Sequence, residues 1–473
     1  MAANVNNVDV IFDVDPSKVP SCPHGPTLLF ARYGEKGKNT KRFYACSACR
    51  DRKECNFYQL EDEKVSAVRL EARKVINKQF QPRFTHTKFM QRLKIFRECS
   101  VIDRIMCQTC ALLLMPTERK HHNSSSHTLV RSVTDELLDQ PTKLFCSQSK
   151  DKVFAQYLFT KSTISFMMDT FKKQNITHVL CIGVPSIHET IQTQSELKLC
   201  SLLMDLDYRY MQVYPPDKFC YYNMFNHYFF DNSTSEKTFK EFITANDSSK
   251  KLAVVVDPPF GCLVDVMAHS LQKIINIWQE LSKNANGTIL PIFMFLPYFM
   301  EKKVLEALPS FFMLDYKVAY MNHSVFNAAK SKTGSPVRIF TNVKPHLVSL
   351  PTKDGYWFCK VCHRFSAPEN KHCNKCKKCS SKDGHTYIHC DLCKKCVKPS
   401  KVHCGVCQHC ELPDHRCGFE KTESACHICG ELGHKRKQCP QNKSNFENKK
   451  RLSSIGDENK PRKKKKKTKN TSI

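Results

Sequence analysis

Apolar residues in the middle of this chain fall into short runs set apart by mixed, helix-length stretches, the alternation of an α/β domain. Leu252-Ala253-Val254-Val255-Val256 is apolar and largely β-branched, and it predicts a parallel strand buried on both faces. His178 to Ile182, leading into the turn Gly183-Val184-Pro185, reads as the first strand of the same sheet. Leu199 to Asp205 reads as a second strand ending in acid, and Pro291 to Leu296 as a later one. Met313 to Tyr320 and Pro336 to Thr341 read as strands joined by a loop rather than a helix, so the parallel sheet is finished by an antiparallel hairpin. The pattern runs from Phe154 to about Asn342 and sets a domain over 151–345. Upstream, Glu61 to Glu98 is mostly helical with basic positions throughout, and the first twenty residues, lacking periodicity, are expected to be disordered.

The central strand runs straight into Asp257-Pro258-Pro259-Phe260. That places an acceptor, a stiff turn and a flat ring at the carboxyl edge of the sheet, where open α/β sheets bind their ligands. The prolines fix φ and lack N–H groups, so the carbonyls there stay free to accept. Asp257 and the Pro258 carbonyl can take both protons of an exocyclic amine while Phe260 stacks on the attached ring. The tetrapeptide therefore suits a planar amino-heterocycle such as adenine, with Asp257, Pro258, Pro259 and Phe260 as the catalytic group. Standing alone it would be an ordinary strand-to-loop turn.

Composition changes the picture in two ways. At 473 residues the chain is long enough for about three domains. A net charge of +29 points to a polyanionic partner, nucleic acid above all. The N-terminus has no signal-peptide pattern, and no apolar stretch approaches the ~20 residues of a membrane span. Leu290 to Met300 comes nearest but is short and contains Pro291 and Pro297. An intracellular chain with 27 cysteines is expected to use them for metal rather than disulfides.

Their spacing divides them into modules. Over 21–60, Cys22, His24, Cys46 and Cys55 form a tetrahedral zinc set, with Cys49 as a possible substitute, in a unit that resembles a GRF-type zinc finger. Its aromatic and basic residues suit stacking on single-stranded bases. Within the helical segment 61–150, a C2H2-like finger over 107–127 would use Cys107, Cys110, His122 and His127, with His121 able to replace His122. A cysteine-rich block over 355–420 carries three near-repeats, His372-Cys373-x2-Cys376-x2-Cys379, His389-Cys390-x2-Cys393-x2-Cys396 and His403-Cys404-x2-Cys407-x2-Cys410. With Cys359, Cys362, His415 and Cys417 these make sixteen ligands, enough for four zinc ions in an interleaved pairing that spacing leaves open. Cys426, Cys429, His434 and Cys439 have the spacing of a zinc knuckle, over 424–441. The tail, 442–473, is expected to be disordered, and its basic run Arg462 to Lys467 suits phosphates or an import receptor.

A GRF-like finger, a methyltransferase-type core with Asp257-Pro258-Pro259-Phe260, a DHHC-like cysteine-rich block and a CCHC knuckle, in that order, resemble the zinc-finger CCHC-domain ribosomal RNA adenine-N6 methyltransferases over nearly the whole chain. The resemblance implies an α/β, Rossmann-like class I core flanked by small zinc modules, using S-adenosylmethionine and several structural zinc ions. It implies formation of N6-methyladenosine in RNA, in large-subunit ribosomal RNA or pre-ribosomes, in the nucleus and nucleolus and also the cytoplasm. By position it assigns Gly183 to the close approach of the cofactor, although Pro185 and Ser186 stand where more glycine is usual. Asp205 or Asp207 would hold the ribose hydroxyls. Gln156, Tyr157, Leu158 and Phe159 would cover the cofactor, Asn226 would meet its adenine end, and Asp257 would border it. Rival readings are a protein glutamine or lysine N-methyltransferase, a palmitoyltransferase and a non-catalytic RNA-binding scaffold. Related glutamine enzymes carry Asn where this chain has Asp257. In Asp414-His415-Arg416-Cys417 the second histidine of a DHHC motif is replaced by Arg416, and the intact Asp257 to Phe260 speaks against a scaffold.

Overall fold

The computed structural model describes residues 8–32, 41–49, 53–122, 126–145, 157–231, 233–244, 250–282, 288–322 and 334–417. They divide into two compact units, one ending at Tyr387 and one beginning at Ile388. The cysteine-rich block read as a single domain therefore contributes to both.

An eight-stranded sheet forms the heart of the first unit. Its strands are β1 (His178–Ile182), β2 (Cys200–Asp205), β3 (Phe219–Asn223), β4 (Tyr228–Phe229), β5 (Leu252–Val256), β6 (Ile292–Pro297), β7 (Phe312–Leu314) and β8 (Val337–Thr341). They lie in the order β4-β3-β2-β1-β5-β6-β8-β7. The five strands from β3 to β6 in that order are parallel, and β4, β8 and β7 are antiparallel additions. β5, and β1 after its opening His178, are apolar and take the centre because strands covered on both faces have nowhere to put a polar side chain. Their residues alternate between two cores. Val179, Cys181, Ala253 and Val255 join one, with helices α1 (Lys161–Lys173) and α2 (Pro185–Thr193). Leu180, Ile182, Val254 and Val256 join the other, with α3 (Ser233–Ile243), α4 (Val264–Leu281) and α5 (Glu301–Ala307).

This is the α/β class read from the sequence, with the antiparallel finish it predicted. Two differences matter for the site. The aromatic segment Tyr221 to His227 supplies the end of β3 and the turn into β4, neither of which was foreseen as a strand. The run expected to be a strand from Met313 to Tyr320 pairs in β7 only to Leu314, and Tyr320 forms a separate bridge with Phe159.

The GRF-like module is a four-stranded antiparallel sheet of Val8–Ile11, Leu28–Arg32, Lys41–Ala45 and Tyr58–Leu60. Its first strand corrects the expectation of disorder before residue 20. An isolated four-residue run has no periodicity to read, yet it satisfies its backbone against the edge at Leu28–Arg32. Two helices follow, Ala67–Gln79 and His86–Glu98, each opened by a side-chain cap, Ser66 and Thr85. Among the described residues no helix is long and apolar enough to cross a membrane.

Candidate active site

Because β1 and β5 are parallel neighbours in register, Ile182 opposite Val256, the turn after one and the motif after the other must meet. The Asp257 N–H donates to the Ile182 carbonyl at 3.2 Å. Gly183, at φ +65°, passes so close that a β-carbon there would sit 3.2 Å from the Asp257 carbonyl oxygen and 2.8 Å from Met224 Cε. Beside this crossing is a cavity of about 320 Å³ lined by Gly183, Asp205, Asp257, Pro258, Phe260 and Tyr157, among others. Asp257 sits deep in the protein with part of its surface open to the cavity, and burial pushes its carboxyl well above the usual range. A bond from the Tyr320 hydroxyl, 3.3 Å from each carboxylate oxygen, opposes that shift. The Pro259 carbonyl accepts from the Cys262 N–H at 2.8 Å and closes the turn, which leaves the Pro258 carbonyl as the acceptor beside Asp257. The half-buried Phe260 ring stacks on Tyr157, centroids 5.6 Å apart at 23°.

The other residues assigned by position separate into two groups. Asp205 lines the cavity, its Oδ1 accepting the Asp207 N–H at 2.9 Å. Burial first, and then the charge of Asp207, push it up to about 7. Asp207 is instead taken by Arg209, whose Nε lies 2.8 Å from its Oδ1, and it does not line the cavity. Tyr157 is at the cavity, but Leu158 and Phe159 form a structural strap. The Leu158 carbonyl accepts from the Met321 N–H at 2.8 Å, and buried Phe159 packs on Phe295 at 4.7 Å. Gln156 lies outside the described residues. Asn226 corrects the expectation of an adenine contact: its Nδ2 donates to the Pro26 carbonyl at 2.7 Å and holds the GRF-like module. Asn223 does the same through the His24 carbonyl, also at 2.7 Å, and the Tyr228 ring lies under Gly25. A polar residue in an aromatic segment reads identically in sequence whether it meets a ligand or a neighbouring module. Docked there, the finger brings Ala48 and Glu54 to the cavity wall. Tyr320 is a site residue that the sequence did not single out; its one signal was a place at the end of an anticipated strand.

Comparison with known proteins matches residues 20–64 to the GRF zinc finger family and residues 150–338 to a family described as "Probable N6-adenine methyltransferase". The chain is 46% identical to the Homo sapiens rRNA N(6)-adenosine-methyltransferase ZCCHC4 over 442 residues, 92% of this chain and 85% of that protein. Its Bos taurus counterpart is 44% identical over the same shares of each chain, and the Xenopus tropicalis one 42% identical over 89% of this chain and 86% of its own. The chain belongs to this family of N6-adenosine methyltransferases. The methyl donor of such an enzyme is S-adenosylmethionine, and the cavity suits it. Gly183 permits close backbone approach, Asp205 offers a carboxylate at the end of β2, and the walls are largely apolar and aromatic.

Members of the family with zinc fingers need ligand sets, and the described residues supply them. Ligand atoms of Cys22, His24, Cys46 and Cys55 lie within 4.8 Å of one another, as do those of Cys107, Cys110, His122 and His127. Cys49 stands beside the first set, its N–H donating to the Cys46 sulfur at 3.3 Å. In the second, His122 rather than His121 joins the cluster, its Nδ1 engaged by the Glu118 carbonyl at 2.8 Å, which leaves Nε2 toward the sulfurs. In the first unit Cys359 and Cys362 join His372 and Cys379; in the second, Cys390 and Cys393 join His403 and Cys410. Cys404 and Cys407 meet His415 and Cys417, with His415 Nε2 3.4 Å from the sulfurs of Cys407 and Cys417. Each cysteine pair thus takes its histidine and last cysteine from the following repeat, the interleaving the sequence left open. Cys373, Cys376, His389 and Cys396 continue the series by spacing. After the second cysteine of these pairs the backbone turns left-handed, at Ala111, His363, Lys377, Lys394 and Gln408. Strain of that kind in non-glycine residues is held by something that fixes the loop, and a three-sulfur, one-nitrogen or two-sulfur, two-nitrogen set suits zinc. Cys426, Cys429, His434 and Cys439, and the basic tail, lie outside the described residues.

Proposed function

We propose that this protein methylates the N6 of an adenosine in ribosomal RNA, and that the RNA is that of the large subunit. The observation that carries the reaction is the pairing of Asp257 and the Pro258 carbonyl beside Phe260, on the cavity that Gly183 and Asp205 also line. Adenine N6 is a poor nucleophile because its lone pair is delocalised into the ring. Acceptance of its two protons by Asp257 and the Pro258 carbonyl shifts electron density back onto nitrogen. Phe260 keeps the ring in the plane from which that lone pair attacks. The bound cofactor supplies an electrophilic methyl group on a sulfonium. Orientation of this kind can contribute about 7–11 kcal/mol. The ammonium formed is strongly acidic, and Asp257 is placed to receive its proton. Adenine reaches such a cavity only when unpaired or flipped out of a helix.

Asp at position 257, the +29 charge and the rRNA substrate named for the relatives favour RNA over a protein amide or amine. The large subunit rests on family resemblance, as does work in the nucleus and nucleolus, for which the basic tail offers an import signal. Purified protein with labelled cofactor should methylate ribosomal RNA and not ribosomal proteins; label found only in protein would overturn the reading. Asp257→Ala should abolish transfer while calorimetry still detects cofactor binding. Mapping N6-methyladenosine in large- and small-subunit RNA, with and without the protein, tests the choice of subunit.

A further inference from the structure

Behind the motif stands a side chain with no part in the reaction as derived so far. Tyr320 is fully buried, its relative exposure 0%. It is fixed by its backbone bridge to Phe159 and by ring contact with Phe159 at 5.1 Å. Its ring meets Phe260 edge-on at 6.1 Å and Tyr157 at 5.8 Å, and its hydroxyl reaches both oxygens of Asp257 at 3.3 Å. Three residues of the cavity thus converge on one phenol. Two equal 3.3 Å distances are long for an O–H···O bond. One proton is shared between two oxygens, and a small rotation of the carboxylate gives one normal bond and releases the other oxygen.

We propose that Tyr320 is a positioning residue for methyl transfer: its hydroxyl holds Asp257 from the buried side, so that one oxygen accepts the phenol's hydrogen bond and the other faces the cavity to accept from the exocyclic amine. The proposal rests on the N6-methylation reading. It gives the carboxylate a donor that opposes the upward push of burial, since a hydrogen bond to the charged form favours that form. Tyr320 stays protonated to do this, because burial and the neighbouring Asp257 both push its own ionisation well up. The other titratable groups near Asp257 are Asp205, Glu54, Tyr222 and Cys262 on the cavity wall and Tyr157 beside the phenol.

Tyr320→Phe in the full-length protein keeps the ring and deletes only the hydroxyl. Carboxyl-13C-labelled aspartate followed by NMR against pH, with the Asp257 signal assigned through Asp257→Asn, reads the carboxylate directly in protein free of cofactor and RNA. The Asp257 midpoint should move to higher pH in the variant. The acid limb of kcat/KM should move with it, with about a tenfold loss near neutral pH and recovery toward wild type in alkali. An unmoved midpoint, or a loss of the same size at every pH, would show that Tyr320 only packs. A moved midpoint in a protein that transfers nothing to adenosine would instead defeat the functional reading on which the proposal rests.

Discussion

Asp205 and Asp207 sit two positions apart, share an acid side chain, and have different work to do. Along the sequence nothing separates them, since both close the same strand. In the fold β2 ends at Asp205, which is left on the cavity, while Asp207 turns back to cap the next helical turn and bind Arg209. The distinction has a measurable consequence. Asp205 is pushed up to about 7, and ribose hydroxyls donate more strongly to a carboxylate than to a carboxylic acid. Cofactor binding by the ionised form is therefore fully available above that pH. Below it, binding must first displace a proton and weakens as the pH falls. Calorimetry across this range should show affinity dropping on acidification, and Asp205→Asn should flatten the dependence. A wild-type affinity that does not change with pH would remove Asp205 from the ribose. The motif Asp257 to Phe260 was legible at this scale because its chemistry is local. Tyr320 was not, because it reaches Asp257 across the sheet from a distant part of the chain.

Elements were legible where one apolar pattern sufficed. β1, β2, β5 and β6 follow from short buried runs, and their common parallel direction from the helices between them. β3 and β4 were not, because a stretch rich in tyrosine and phenylalanine fits a strand, a core helix or a ligand wall equally well. In the C2H2-like finger the uncertainty between His121 and His122 is geometric. The short turn Arg119–His121 has about three residues per turn, so adjacent side chains point about 120° apart and only one can face the sulfurs of Cys107 and Cys110. His122→Ala should lower the zinc content by one ion per chain and reduce thermal stability. His121→Ala should leave the zinc content unchanged. Elemental analysis of the two purified variants checks this, and equal zinc loss in both would contradict the assignment.

At the scale of the molecule, apolar burial and metal ligation hold different parts together. The α/β core is stabilised by two continuous apolar layers flanking one sheet. From Ile388 to Cys417 the described elements are two-stranded hairpins, and the one buried apolar residue among them, Cys410, is itself a ligand. Such a segment has too little apolar surface to fold without its ions. Stripping zinc with a chelator should therefore open 388–417 to proteolysis while the sheet domain keeps its cooperative thermal transition. Simultaneous loss of both would show that the core depends on the zinc modules. The sequence by itself determined the sheet class, the motif, the ligand inventory and the order of modules, because each depends on neighbours along the chain or on spacing within a short loop. Only the tertiary structure decided that Asn226 holds a finger rather than a cofactor, which aspartate faces the cavity and that Tyr320 stands behind Asp257. Those outcomes depend on which side chains meet across strands and modules, and no pattern along the chain encodes such meetings.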